Sequence, residues 1–369
     1  MSVGVTKQRA PTRRDDEALR SLLEFEAVSL LGAPTPVDEM ARLRSALGGG
    51  PRLLVKRDDA IPFGFGGNKV RKLELVAAQA LGAGADTLVT TGGIQSNHAR
   101  ATAATAARLG LGCVMIANGE KPARLTANAL LRELLGAEVE YIATRDERGA
   151  AVQATMSRLR RAGRAPYEVP LGASTPLGAL GFVRAIGEML EQIDAPDVII
   201  HASSSGGTQA GIVAGCALHG LDTRVIGVSS DEPSGEIQQT VRTIIAGIGD
   251  MLGRDGAALA AGCAITVDDA FVGEGYTIPT EASLEAQRLA ARNEAIFVDN
   301  TYTAKALSAL IACVREGRFR DSETVLFWHT GGQVGLFAQQ SPGAGTRRER
   351  EVSDRLRSLA SATAHQPRP

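Results

Sequence analysis

From residue 52 onward the chain alternates short apolar, β-branched-rich runs with stretches of helical period, and that alternation restricts its fold more than any other feature. The runs fall at about 53–56, 87–91, 113–117, 138–142, 197–202, 224–228 and 324–328. Helical spacing covers 124–136, 147–162, 177–193, 207–219, 281–293 and 303–316, and further helical stretches run on from Val70 and up to about Leu109. Strands that are apolar on both faces and separated by helices imply parallel sheets covered on both sides. The expected class is therefore α/β. In such sheets ligands bind beyond the carboxyl ends of strands, where loops lead into helices. With 369 residues there is room for two domains, or for one large α/β unit with an insertion.

The flanks read differently. Residues 1–24 are polar and charged and are expected to form a flexible arm. Leu31 to Pro36 reads as extended, because each proline pushes its predecessor out of the helical region. A short helix is expected from Val37 to Leu47, stopped by Gly48-Gly49-Gly50. Residues 341–369 read as a flexible tail, with a short charged helix from Arg347 to Leu359.

A formal net charge of −1 gives no electrostatic reason to bind nucleic acid or an anionic membrane. The N-terminal segment lacks the apolar core of a secretory signal, and no apolar run approaches the ~20 residues that span a bilayer. Cys113, Cys216, Cys263 and Cys313 are widely spaced, without metal-ligand spacing. They are expected to be free thiols in a reducing cytoplasm, with no metal site.

Three strand-to-helix loops carry unusual chemistry. Lys69 opens a helix behind Gly66-Gly67-Asn68, where an ammonium opposes the helix dipole. A neutral or covalently modified lysine has no such conflict, and a desolvated lysine titrates low enough to act as a nucleophile. Ser96-Asn97-His98 opens a second helix, where free N–H groups attract anions. Ser203 to Gly211 has the composition of a phosphate cradle, but neither the lysine of a P-loop nor a dinucleotide fingerprint. Together they suggest an imine-forming enzyme acting on a carboxylate. Each loop also has an ordinary reading: a surface lysine, an N-cap at Ser96, a solvated turn residue at His98, a ligand-free glycine turn.

Several long words in the chain resemble the fold-type II pyridoxal-phosphate enzymes related to the tryptophan synthase β subunit. Within them the resemblance is to the D-cysteine desulfhydrase and aminocyclopropane-carboxylate deaminase family. It covers roughly residues 28–340 and rests on Lys56-Arg57-Asp58-Asp59, Gly66 through Glu74, Gln95-Ser96-Asn97-His98, Gly178-Ala179-Leu180-Gly181, and the pair Tyr276 and Tyr302. It implies two parallel-sheet, three-layer domains with the cofactor in the cleft between them. The large domain would comprise 25–69 and 182–340, and the small inserted one 70–181. It implies pyridoxal 5'-phosphate as cofactor, carried by Lys69 as an imine. Asn97 would lie beside the cofactor's 3-hydroxyl, and Ser205, Gly206, Gly207 and Thr208 would form the phosphate loop, with Lys72 also in the cofactor set. Ser96, Asn97 and His98 would hold the substrate carboxylate, Tyr302 would lie against the ring, and Tyr276 near the substrate amine. A homodimer is implied as well.

Two positions choose among family members. The deaminase pattern has a glutamate after the second tyrosine, facing the pyridine nitrogen; here it is Thr303. The desulfhydrase word His-Thr-Gly-Gly stands as His329-Thr330-Gly331-Gly332, making Thr330 the candidate partner of that nitrogen. A hydroxyl can donate to an unprotonated nitrogen but cannot support a full pyridinium charge. This favours β-elimination of a good leaving group over cyclopropane opening. The expectation is a lyase converting a small amino acid, foremost D-cysteine, to pyruvate, sulfide and ammonia. Lys69, Lys72, Ser96, Tyr276 and Tyr302 are the candidates for moving the proton. Gly93, the Phe63-Gly64-Phe65 run, Thr301 and Gln333-Val334-Gly335 depart from the usual family words and leave the substrate open. Aminocyclopropane-carboxylate deaminase and cysteate sulfo-lyase are the alternatives within the class, and a non-catalytic cofactor-binding regulator is the alternative outside it.

Overall fold

The structure, a computed structural model, describes residues 13–338. Its strands are β1 (Val37–Glu39), β2 (Arg52–Arg57), β3 (Thr87–Gly93), β4 (Gly112–Asn118), β5 (Glu138–Ile142), β6 (Pro166–Glu168), β7 (Val198–Ser203), β8 (Arg224–Ser229), β9 (Thr266–Asp268) and β10 (Thr324–His329). The helices are α1 (Asp16–Ser21), α2 (Ala41–Ala46), α3 (Lys69–Gly82), α4 (Asn97–Leu109), α5 (Ala127–Leu134), α6 (Arg148–Arg161), α7 (Pro176–Leu190), α8 (Gly207–Leu218), α9 (Ser234–Met251), α10 (Gly256–Gly262), α11 (Glu281–Glu294) and α12 (Thr303–Arg315).

Two sheets result. The larger runs β1-β2-β10-β7-β8-β9, parallel except for the β1–β2 edge; the smaller, β5-β4-β3-β6, is wholly parallel. The period of two explains the layering of the large sheet. Leu54, Ile199, Leu326 and Trp328 point to one face and pack with residues of α7, α8 and α9. Leu53, Val55, Ile200, Val325 and Phe327 point to the other and pack with α11 and α12. In the small sheet Val89, Val114 and Ile116 bury against Val152, Met156 and Leu159 of α6. This is an α/β fold whose strands are apolar because both faces are covered.

Two expectations need correction. Residues 1–24 do not form an arm throughout: α1 is docked, with Asp15 capping it through Ala18 N–H at 3.0 Å and the Asp15 N–H donating to the Leu218 carbonyl at 2.8 Å. Ala18 and Leu22, four apart in a charged segment, are buried in the core and hold it there. Helix formation from Val37 is also delayed. Val37–Glu39 instead add an antiparallel edge to β2, opposite Lys56, Val55 and Leu54, and α2 begins at Ala41. The expected helix at Arg347–Leu359 lies outside the described residues.

The chain leaves the large sheet after β2, builds the small sheet, and returns at β7, with β10 inserted between the two. Loops following β2, β3, β4, β7, β8 and β10 therefore all project toward one crevice, as expected where strand order reverses.

Candidate active site

The crevice holds a cavity of about 290 Å3. Its organiser is Asn68. Its N–H donates to the Thr330 carbonyl at 3.0 Å, its Nδ2 to Thr208 Oγ1 at 2.9 Å, and its Oδ1 accepts from Lys69 Nζ at 3.0 Å. One residue, through its backbone and its side chain, thus joins the loops after β2, β7 and β10. The preceding turn is pinned by Gly67 N–H donating to the Asp58 carbonyl at 2.8 Å.

Lys69 lines the cavity. Burial, with help from the Arg100 cation and against the Asp299 carboxylate, lowers its pKa from 10.5 to about 8. An appreciable fraction is then the neutral amine near neutral pH, which is the state a nucleophile needs. Lys72, one turn on, is buried against the loop after β6. Its Nζ donates to Ser174 Oγ at 3.1 Å and to the Gly172 carbonyl at 3.2 Å. Burial and the Lys69 charge push its pKa well below 10.5. Two neutral acceptors leave that charge uncompensated, so the place is suited to an anion.

The cradle above it fits a phosphate. Gly206 adopts φ +76° so that α8 can begin at Gly207, whose N–H reaches Ser174 Oγ at 3.3 Å. Ser205 Oγ lies 2.8 Å from the same hydroxyl. A Cβ on Gly207 would sit 2.7–2.9 Å from Ser174, so the wall closes on bare backbone. Ser204, Ser205, Gly206 and Thr208 line the cavity at this helix start.

The start of α4 brings a second helix N-terminus to the cavity. Ser96 is the N-cap, its Oγ accepting from Ala99 N–H at 3.2 Å. Asn97 is oriented by Asn128, whose Nδ2 donates to Asn97 Oδ1 at 2.8 Å and to the Gln95 carbonyl at 3.0 Å. His98 is buried, not solvated. Thr90 Oγ1 gives its proton to the Val169 carbonyl at 2.8 Å, so the His98 Nε2 lying 2.8 Å from that oxygen must be the donor. Burial, then the Lys69 and Lys72 charges, keep the ring neutral. Residue 98 accordingly offers the site its first-turn N–H rather than a cation.

Tyr276 and Tyr302 close the opposite side. Their hydroxyls are hydrogen-bonded to each other, with ring centroids 5.8 Å apart at 71°. Burial and the partner's hydroxyl raise the Tyr302 pKa well above 10; burial also raises that of Tyr276. Both stay protonated, and either hydroxyl can donate to the other. Thr330 lines the cavity, whereas Thr303 does not face it. The Thr303 hydroxyl donates to Asp299 Oδ1 and accepts from Asp299 N–H, each at 2.8 Å. Asp299 in turn accepts from the N–H groups of Thr301, Tyr302 and Thr303, so it braces the start of α12.

The sequence reading did not single out Gly172 and Ser174, which wall the cradle, or Asn118, Arg145, Arg148, Asp231 and Glu232, which line the mouth. Arg145 and Arg148 follow β5, while Asp231 and Glu232 follow β8 on the other sheet. Asn68 was visible only as part of the lysine turn.

Comparison with known proteins agrees with this geometry. Residues 28–331 match the family described as pyridoxal-phosphate dependent enzyme. The chain is 38% identical over 330 residues to D-cysteine desulfhydrase of Salmonella newport (strain SL254), covering 87% of this chain and 98% of that protein. The same enzyme of Salmonella typhi is also 38% identical over 330 residues, with the same coverage. Among solved structures, an ACC deaminase homologue superposes with a TM-score of 0.80 at 31% identity, covering 87% of this chain and 96% of that one. A pyridoxal 5'-phosphate-dependent aspartate racemase shares the fold alone, at TM-score 0.63 and 16% identity over 88% of this chain and 97% of that one. The chain belongs to the family of pyridoxal-phosphate dependent enzymes.

Proposed function

We propose that the protein is a lyase that removes a β-substituent from a small amino acid, with D-cysteine, the substrate named for its 38%-identical relatives, as the first candidate. The observation that carries this is the placement of the Lys69 amine, its pKa lowered by burial to about 8, in one cavity with two separate helix N-termini and a tyrosine pair.

Bound pyridoxal 5'-phosphate supplies the electron sink for breaking the Cα–H bond. The chain's own groups do the rest. Lys69 Nζ would hold the cofactor and, as a free amine, is the candidate to take the α-proton. Ser205, Gly206, Gly207 and Thr208 hold the phosphate, with Lys72 supplying charge from behind. Thr330 offers a hydroxyl to the ring nitrogen, and Asn97 an amide beside the ring. The first turn of α4, at Ser96, Asn97 and His98, holds the substrate carboxylate. The Tyr276–Tyr302 pair donates and regains a proton near the leaving group. A threonine hydroxyl at the ring nitrogen, in place of the carboxylate a deaminase would use, would favour thiolate expulsion over ring opening. Overall, D-cysteine and water give pyruvate, sulfide and ammonia. Free thiols at Cys113, Cys216 and Cys313 accord with a cytoplasmic protein, and a homodimer is part of the proposal. Among the described residues no helix is long and apolar enough to cross a membrane.

The test is direct. The protein with pyridoxal 5'-phosphate should be yellow, and Lys69→Ala should lose the visible band. Sulfide and pyruvate should form from D-cysteine when it is assayed beside L-cysteine, cysteate and aminocyclopropane carboxylate. Turnover of none of the four defeats the proposal.

A further inference from the structure

The mouth of the cavity carries two arginines whose charges are treated differently. Arg145 stands 5.1 Å above the Tyr276 ring and is offset by Glu232 at 3.5 Å and Asp231 at 3.9 Å, across from the other sheet. Arg148 is half-buried in the cavity wall, and its guanidinium hydrogen-bonds only to a neutral group: Nε donates to Asn118 Oδ1 at 3.1 Å, and Nη2 donates to the same oxygen. No carboxylate among the described residues forms an ion pair with it. An arginine stays protonated, so a charged fork lines the cavity with no carboxylate in direct contact, the Asp231 charge acting on it only at longer range.

Its position bears on the substrate. Asn118 ends β4 and pairs in register with Gly93 at the end of β3. Adjacent strands lie roughly 4.8 Å apart, so Arg148 is anchored one strand away from the loop that leads to Ser96 and the start of α4. A substrate with its carboxylate at that helix start and its Cα over Lys69 has one part left to meet Arg148, its side chain. A neutral thiol makes no use of a guanidinium fork, whereas a sulfonate, sulfate or phosphate presents two or three acceptor oxygens to it.

We infer that Arg148, assisted by Arg145, selects amino acids whose β-carbon bears a second, anionic group. This deepens the elimination reading above and rests on it. In the reaction the Cα–H bond breaks and the Cβ–X electron pair leaves with X as sulfite, sulfate or phosphate. Water then completes conversion of the remainder to pyruvate and ammonia, so no oxidant or reductant is required.

The experiment compares kcat/KM for cysteate, serine O-sulfate and O-phosphoserine with that for cysteine, in both D and L forms, using wild type, Arg148→Gln and Arg148→Lys with pyridoxal 5'-phosphate bound. In parallel, calorimetric titration with the unreactive dianion 3-sulfopropanoate measures binding without turnover. The anionic-to-neutral ratio of kcat/KM should fall about tenfold to a hundredfold in Arg148→Gln, the dianion should bind weaker by a similar factor, and Arg148→Lys should recover part of both. Equal ratios in wild type and Arg148→Gln, together with equal dianion binding, overturn the inference even where cysteine is eliminated normally. Dianion binding that depends on Arg148 in a protein that turns over no amino acid leaves the anion site standing and defeats the elimination reading instead.

Discussion

Replacing Glu188 by glutamine tests how the lysine turn is held. The Glu188 carboxylate accepts from Lys56 Nζ at 2.6 Å and from Arg71 Nη1 and Nη2 at 2.8 and 2.9 Å. Arg71 also grips Asp58, which accepts from Trp328 Nε1 at 2.9 Å and whose carbonyl receives the Gly67 N–H. Two cations and two carboxylates therefore balance in a region where Lys56 and Asp58 are fully buried. Burial pushes the Glu188 carboxyl up, but Arg71 and Lys56 more than reverse this and hold it at about 2 instead of 4.5. That difference corresponds to roughly 3 kcal/mol favouring the folded state. Because the folded pKa is depressed, the contribution is complete above pH 4.5 and is lost as pH falls through about 2. Glu188→Gln should thus unfold about 4 °C lower than wild type at pH 7, and the gap should narrow steadily below pH 4.5. Trp328, the single tryptophan and itself bonded to Asp58, reports the transition by fluorescence at pH 7, 5 and 3. A gap of equal size at pH 7 and pH 3, or none at pH 7, refutes this account of the network.

Three further outcomes are expected. Gly207→Ala places a Cβ against Ser174 and should weaken pyridoxal 5'-phosphate binding by about tenfold or more while the chain still folds; unchanged affinity in a visible-absorbance titration would remove the cradle from the phosphate role. Tyr302→Phe and Tyr276→Phe should each lower kcat by on the order of 10² with the cofactor retained, and the double variant should be little worse than either, since the hydroxyls act as one unit. Cofactor capture by Lys69, followed by stopped-flow absorbance, should accelerate with pH up to about 8 and then level; Arg100→Gln should move the inflection upward, because the guanidinium helps keep the amine's pKa low.

The features legible in the sequence were those in which local pattern and tertiary role coincide. Strands buried on both faces read as continuous apolar runs, and helices of the sheet-covering layers announced themselves through spacing, so the expected strands match β2 to β5, β7, β8 and β10 within a residue or two. Helix α9 was hidden: Ile237, Val241, Ile244, Ile245 and Ile248 repeat at helical spacing, but their β-branched side chains read equally as strand. Edge pieces such as β1 and β6 are only three residues long and exist because a longer neighbour offers its free edge.

The site divides along the same line. Lys69, Ser96 and the Gly206–Gly207 turn were legible because a helix start imposes its own local electrostatics, which the sequence shows directly. Arg145 and Arg148 sit in a run with Asp146 and Glu147, which on its own looks like an ordinary solvated charge cluster. What gives Arg145 a partner is Glu232, 87 residues on and in the other sheet's loops, whereas Arg148 hydrogen-bonds only to the neutral Asn118 at the end of β4. Charge balance at a cleft is a property of two loops brought together by topology, and neither loop carries it alone. The half of the cavity proposed to hold the cofactor is therefore set by local rules that the family's words record, while the half proposed to face the substrate's side chain is set by long-range pairing. Substrate choice in this chain should accordingly respond to changes at Arg145, Arg148, Asp231 and Glu232 more than to changes in the loops by which the family is recognised.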